Sequence, residues 1–279
     1  MLEIPESATV SRQIRETCAG RTIERVTAAH SPHGFAWYCG DPSVYPRLLE
    51  GGEITGAQAV AGYVRIDASG VTILLHDGVN ARHLAPGAVE PKKHQLLIRF
   101  DDGSGIVCTV QMYGGLYAFP QGEMRNPYYD AALAKPHPFS EGFDERHFES
   151  IVSNAPGKLS AKGLLATEQR IPGLGNGCLQ DILFRAGVNP QSKLSALSDE
   201  DIAAIFTSLK TTLREMADSG GRNTERDLFG EYGGYRTLMS SKTVSRPCPD
   251  CGKTLERKTY MGGNVYFCPS CQPLKPPRR

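Results

Sequence analysis

Near the start of the chain apolar residues recur at helical spacing: Val10, Ile14 and Cys18 fall four apart, and Gly20 supplies a stop. This predicts a short amphipathic helix. The period then changes. Stretches 63–66, 71–75, 95–100 and 106–112 are β-branched or alternate apolar with polar, and Gly/Asp/Ser turns at 67–70 and 101–105 separate them. That pattern predicts a β-sandwich or barrel of roughly 120 residues. Between 120 and 143 it dissolves into Pro, Gly, Asn and aromatics, with Pro127, Pro136 and Pro138 close together, as in a linker. Helical spacing returns at 144–153, 160–169 and 176–186, the last with Leu179, Ile182 and Leu183 on one face and Gly187 at its end. Ser198 then begins a long helix bearing Ile202, Ile205, Phe206, Leu209, Leu213 and Met216; Asp201 occupies the capping-box position, and Gly220 with Gly221 end it. The expected organisation is α+β and multidomain: 1–125, a β-sandwich with a leading helix; 126–142, a linker; 143–240, a helical domain; 241–272, a cysteine-bearing β-hairpin; 273–279, a basic tail.

Composition narrows the classes. With 279 residues and 40% apolar content, the chain can bury two moderate cores. Its first 30 residues lack a signal-peptide core and no 18-residue apolar run occurs, so the expectation is a cytoplasmic protein that is neither secreted nor membrane-spanning. Net charge is only +1, but it is unevenly spread. Residues 241–279 hold eight Lys/Arg (Lys242, Arg246, Lys253, Arg257, Lys258, Lys275, Arg278, Arg279) against Asp250 and Glu256, on an otherwise acidic chain. A basic end of this kind points to a polyanionic partner, although a solvated tail has the same composition.

Four of the eight cysteines are scattered (Cys18, Cys39, Cys108, Cys178) and four crowd into one short segment, which favours reduced thiols and one metal site. Cys248-x2-Cys251 and Cys268-x2-Cys271 are separated by 16 residues, and each pair sits at a turn able to aim two sulfurs at one ion. Tetrahedral zinc takes this arrangement. The segments 254–259 and 265–267 between them predict a hairpin. Four thiolates close the coordination sphere, so the ion is expected to be structural and any function to lie on the hairpin surface.

Three separated segments together resemble the formamidopyrimidine-DNA glycosylase/endonuclease VIII family. They are the opening Met1-Leu2-Glu3-Ile4-Pro5-Glu6; the run Ile171-Pro172-Gly173-Leu174-Gly175-Asn176 with Gly187-Val188-Asn189-Pro190 after the following helix; and the four-cysteine hairpin. Their order and spacing extend the resemblance over essentially the whole chain. It implies a β-sandwich, a helix–two-turns–helix domain and zinc hairpin, a DNA-binding cleft, and extrusion of a base from damaged or abasic double-stranded DNA by a monomer. It further implies that an N-terminal amine (Met1 or Leu2) is the nucleophile, with Glu3 its acid/base partner and Glu6 within the same motif. Lys158, Lys162, Gly173, Gly175 and Asn176, with Arg257 and Lys258 on the hairpin, are then the DNA-binding candidates. Gly173 and Gly175 would let backbone approach a phosphate, N–H groups at the helix start would attract it, and Asn176 would add a donor.

The chain also departs from the family. Leu2 stands where members carry proline, and its size is expected to keep Met1 in place. Gly62 and Gly263 stand where a lysine and an arginine occur, removing two phosphate-side cations. Val79, Met112 and Tyr113 correspond to the wedge that fills the space of an extruded base. Arg222, Arg226 and Arg236 lie in a Gly-rich stretch suited to a lesion-side loop. An imine mechanism needs a neutral amine, and an α-amino group with a pKa of about 8 is neutral far more often at neutral pH than a lysine. The expected function is a base-excision-repair DNA glycosylase with AP-lyase activity. A reader of lesions without chemistry is the alternative, and a zinc-stabilised protein scaffold a third.

Overall fold

The helix expected at the start forms as α1 (Ile4–Cys18), with Pro5 in its first turn and Val10, Ile14 and Cys18 buried along one face. The computed structural model describes residues 1–276; positions 277–279 of the basic tail lie outside the described residues. The chain divides into two compact units, one comprising 1–130 with 219–234 and the other 131–218 with 235–279.

Seven strands make one sheet in the first unit: β1 (Ile23–Ala28), β2 (Ala36–Trp37), β3 (Ile54–Val60), β4 (Tyr63–Ala68), β5 (Val71–Leu84), β6 (Leu96–Phe100) and β7 (Gly105–Pro120). Their order is β1-β6-β7-β5-β4-β3, with β2 added parallel to β7. The long antiparallel pair β5 and β7 runs through both halves, and its register shifts between Asp77 and Val79. On one side of this bulge lie β3 and β4, on the other β1 and β6. Residues from both halves, such as Ile66 of β4 and Ile98 of β6, share one apolar core with Val10 and Ile14 of α1. The sheet therefore folds over on itself as a sandwich, with the bulge supplying the bend. A short helix, α2 (Tyr45–Leu49), inserts Tyr45 into the same core.

The second unit is helical. α3 (Pro127–Ala134) carries the chain into it, so the expected linker at 126–142 is part helix. Residues 136–143 are not loose either: Lys210 Nζ donates to the carbonyls of Pro138 (2.7 Å) and Phe143 (3.1 Å). α4 (Glu145–Ser153), α5 (Ala161–Ala166), α6 (Asn176–Arg185) and α7 (Asp199–Asp218) follow. Asp144 caps α4 and Ser160 caps α5. The capping box of α7 is reciprocal: Asp201 N donates to Ser198 Oγ (3.2 Å) and Ser198 N to Asp201 Oδ2 (2.8 Å). The hairpin β8 (Glu256–Tyr260) and β9 (Gly263–Phe267) packs with α6 rather than standing apart, since Phe184, Met239, Cys248, Leu255, Tyr266 and Cys268 form one cluster.

The two compact units divide differently from the expected boundaries at two places. The hairpin, expected as a separate 241–272 module, is part of the helical unit through that cluster. Segment 219–234, expected in the helical domain, belongs to the first unit. There Leu228 enters the sandwich core and Gln13 Nε2 donates to Asp227 Oδ2 at 2.7 Å. Among the described residues no helix is long and apolar enough to cross a membrane.

Candidate nucleic-acid interface and metal centre

In the first unit the N-terminal residues are held from two directions. Leu2 N donates to the Asp77 carbonyl at 2.7 Å, and the Leu2 side chain is buried in the sandwich core. Asp77 has φ +56°, in the left-handed region, at the β5 bulge. The next residue, Gly78, tolerates no side chain, because a Cβ there would stand 2.5 Å from Tyr113 O. The bulge thus brings the chain start beside the Met112–Tyr113 segment of β7.

The second hold is the 219–234 segment. Gly221 has φ +99°, and a Cβ on Gly233 would lie 2.1 Å from Gly221 O, so only glycine lets the segment double back this tightly. It places Arg222, 2% exposed, against two buried carboxylates. Arg222 Nε and Nη2 donate to Glu6 Oε1 and Oε2 at 2.9 and 2.8 Å, its backbone N to Glu6 Oε1 at 3.1 Å, and Nη1 to Glu3 Oε1 at 3.4 Å. The Met1 amine pairs with Glu225 Oε2. Three groups expected at the chain start (Met1, Glu3, Glu6) are therefore gathered, but through Arg222 and Glu225. Arg222, expected as a lesion-side cation, is instead buried, and the sequence pattern does not single out Glu225. Nothing local in the sequence marks either role, since each partner lies more than 200 positions away.

The wedge candidates separate. Met112 is 62% exposed and Tyr113 37%, whereas Val79 is 2% exposed. Val79 follows the bulge and pairs with Val110, which turns it into the core, so it is not positioned as a surface wedge.

In the second unit, Gly173 has φ +76° in the turn leading to α6, and Gly175 is the N-cap residue. Asn176 opens the helix. Its Nδ2 donates to Asn264 O of β9 at 3.0 Å, and Gln180 bridges to the same carbonyl at 3.1 Å while accepting from Tyr266 N at 3.1 Å. Lys162, expected among the DNA-binding residues, lies beneath the hairpin turn. It is 4% exposed, its Nζ donates to Tyr260 O at 2.6 Å, and burial lowers its pKa. Gly263 lies above both, where a Cβ would come within 3.5 Å of Lys162 Nζ and 3.6 Å of Asn176 Nδ2. Lys158 and Arg257 are exposed, as is Lys258, which pairs with Glu256 (3.2 Å) and lies over the Phe267 ring (5.1 Å).

The four hairpin cysteines converge, with all Sγ atoms within 4.8 Å of one another. Cys248 and Cys271 are 3.8 Å apart and Cys251 and Cys268 are 3.5 Å apart. A tetrahedral ion with Zn–S bonds of about 2.3 Å sets its sulfurs roughly 3.8 Å apart, so the donor set fits zinc. Gln272 ties this centre to the turn after α6. Its Oε1 accepts from Cys268 N (3.1 Å), its Nε2 donates to Val188 O (2.8 Å), and its carbonyl accepts from Asn189 Nδ2 (2.9 Å).

Residues 1–132 match the model of the formamidopyrimidine-DNA glycosylase N-terminal domain. The chain is 26% identical to the formamidopyrimidine-DNA glycosylase of Bacillus cereus, over 98% of its own length and 99% of that protein's. It is 27% identical to that of Brevibacillus brevis, with the same coverages. Its fold is shared by the MutM (Fpg) protein of Thermus thermophilus (TM-score 0.81, 24% identity, 98% of this chain and 100% of that one). It is shared equally by Lactococcus lactis Fpg in a complex with abasic-site DNA (TM-score 0.82, 22% identity, 97% and 99%). The fold is thus that of these solved structures from end to end, and residues 1–132 are similar to the N-terminal domain of formamidopyrimidine-DNA glycosylases.

Proposed function

We propose that this protein binds damaged DNA in base-excision repair and is a DNA glycosylase with AP-lyase activity, acting through its N-terminal amine. The observation that carries this reading is the pairing of the Met1 amine with Glu225 beside the buried Glu3 and Glu6. Its relatives bear the name of DNA glycosylases, and one structural neighbour is in a complex with abasic-site DNA. An α-amino group attacks a sugar C1′ only when neutral. A carboxylate in contact with it can take the proton, and here that carboxylate is Glu225, because retention of Met1 moves the amine one residue outward from Glu3. As the N–C1′ bond to the protein forms, the bond from C1′ to the base breaks; opening the sugar ring then needs a proton at O4′. That proton is the second one shed by the nitrogen once it is bonded to C1′, relayed by the Glu3 carboxylate, while the departing base takes the one held by Glu225. Zinc held by Cys248, Cys251, Cys268 and Cys271 fixes the hairpin and takes no part in bond making. Lys158, Arg257 and Lys258 meet phosphates from the surface, while Lys162 and Asn176 hold the hairpin turn where a phosphate would approach.

A second reading, recognition of lesions without chemistry, is favoured by one observation. Leu2 N is already committed to Asp77, and Glu3 to Arg222. Borohydride trapping on an abasic-site duplex, with a gel-shift at two salt concentrations, decides between them. The expected result is a covalent adduct on the Met1 peptide, lost in Glu225→Gln and Glu3→Gln while both variants still shift the duplex. Salt-sensitive binding with no adduct and no base release would replace the enzyme with the reader.

A further inference from the structure

A protein that buries its core this fully seldom leaves large aromatic side chains clustered in water without a use. Phe35 is 63% exposed, Trp37 42%, Met112 62% and Tyr113 37%, and all four lie together in the first unit. The short strand β2 makes the cluster. It pairs Ala36 with Gly114 and Trp37 with Gly115, and Gly114 N donates to Phe35 O at 3.0 Å. The Trp37 and Tyr113 rings stand 5.8 Å apart, tilted by 35°.

The platform is rigid. Trp37 stacks on His76 (6.4 Å, 25°), and His76 is itself wedged between Tyr63 (5.0 Å) and Tyr117 (5.1 Å). Only glycine fits beneath it. A Cβ at Gly115 would come 1.9 Å from His76 Nε2, and one at Gly114 would come 2.9 Å from Val79 Cγ2. A pre-ordered ring stack loses little entropy on binding a second flat ring, and every nucleobase has a π face.

We infer that Trp37, with Phe35 beside it, extends the wedge candidates Met112 and Tyr113 into a stacking site for an unpaired nucleobase, with Trp37 its anchor. The inference rests on the DNA-binding reading above and deepens it. The sequence pattern singles out neither Trp37 nor Phe35. Continuity supports a base as the occupant: the same bulge that presents Tyr113 holds the N-terminal segment through Asp77. Contact through ring faces recognises a base without reading its edge, so binding tolerates any base.

Trp37 is the single tryptophan of the chain, which makes its emission a direct probe. The intact protein is titrated with a duplex carrying one tetrahydrofuran abasic analogue opposite a normal base, and with the same duplex fully paired. Emission is expected to fall on binding the first and to change far less with the second. Trp37→Ala is expected to weaken binding of the abasic duplex by about 5- to 150-fold and of the paired duplex by less than about twofold; Trp37→Phe should recover most of the loss. A gel-shift of each mixture separates the two ideas. A shifted abasic duplex with unchanged Trp37 emission overturns the stacking site alone, and no shift with either duplex overturns the DNA-binding reading with it. The wild-type titration decides the matter even if Trp37→Ala fails to fold.

Discussion

Arg222 shows how a residue expected to contact DNA becomes a structural one. Its guanidinium is buried with Glu3 and Glu6, and removing the cation leaves two carboxylates in a site that water does not reach. Breaking a buried pair by deleting one partner costs about 3–5 kcal/mol. Arg222→Met should therefore lower the unfolding free energy of the first unit by that order, read from urea denaturation followed through Trp37 emission; a midpoint unchanged from wild type would mean the carboxylates do not depend on it. His137 gives a pH test in the other unit. Its Nε2 is buried without a partner, its Nδ1 accepts from Phe139 N at 3.1 Å, and burial, with Lys210 and Arg214 nearby, takes its pKa from 6.5 to about 4. The unfolded chain thus binds the proton more tightly. The contribution is fully present above pH 6.5 and is lost as pH falls towards 4, by on the order of 2–3 kcal/mol. His137→Asn keeps the acceptor for Phe139 and removes the titration, so its melting temperature should fall less than that of the wild type on going from neutral pH to about 4.5. Parallel pH curves would exclude His137 as the source.

At the scale of elements, what could be read from sequence is what is encoded locally. The period of α1, the faces of α6 and α7, the reciprocal Ser198–Asp201 cap and the cysteine spacing each depend on residues within a few positions of one another. Strands β1 and β3 escaped because their burial patterns are irregular, and β2 is only two residues long. The inward turn of Val79 escaped for a related reason. A one-residue bulge exchanges the faces of a strand, and no residue type at Asp77 or Gly78 announces it unambiguously. The 219–234 segment reads as polar and Gly-rich, yet it closes over the start of α1. Gly233 tests that closure, since a side chain there must displace the Gly221 backbone. Gly233→Ala is expected to destabilise the first unit by about 1–3 kcal/mol and to abolish borohydride trapping through loss of Glu225 from the amine. Normal trapping by a stably folded variant would detach Glu225 from the chemistry.

Across the whole molecule, the four-cysteine cluster links the basic C-terminal segment to the helix that the resemblance marks for DNA. A zinc ion held there would fix Cys248, Cys251, Cys268 and Cys271; Gln272 ties that cluster to Val188 and Asn189, and β9 ties it to Asn176 and Gln180 at the start of α6. Lys162 depends on the same hairpin, since its ammonium is satisfied by Tyr260 O. Because such a site does not exist in the unfolded hairpin, metal-binding energy is folding energy, on the order of 10 kcal/mol or more in small zinc modules. Stripping zinc should accordingly release the hairpin, leave Lys162 and Asn176 without their carbonyl partners and abolish salt-sensitive DNA binding. The sandwich core, built from residues of the first unit alone, should survive with Trp37 emission unchanged. Chelation followed by gel-shift, far-UV circular dichroism and tryptophan emission on one sample tests all three at once. DNA affinity that persists after the zinc is gone would move the DNA-binding surface off the hairpin and onto the first unit. There the exposed Trp37 and Tyr113 rings, rather than the basic segment, would have to account for it.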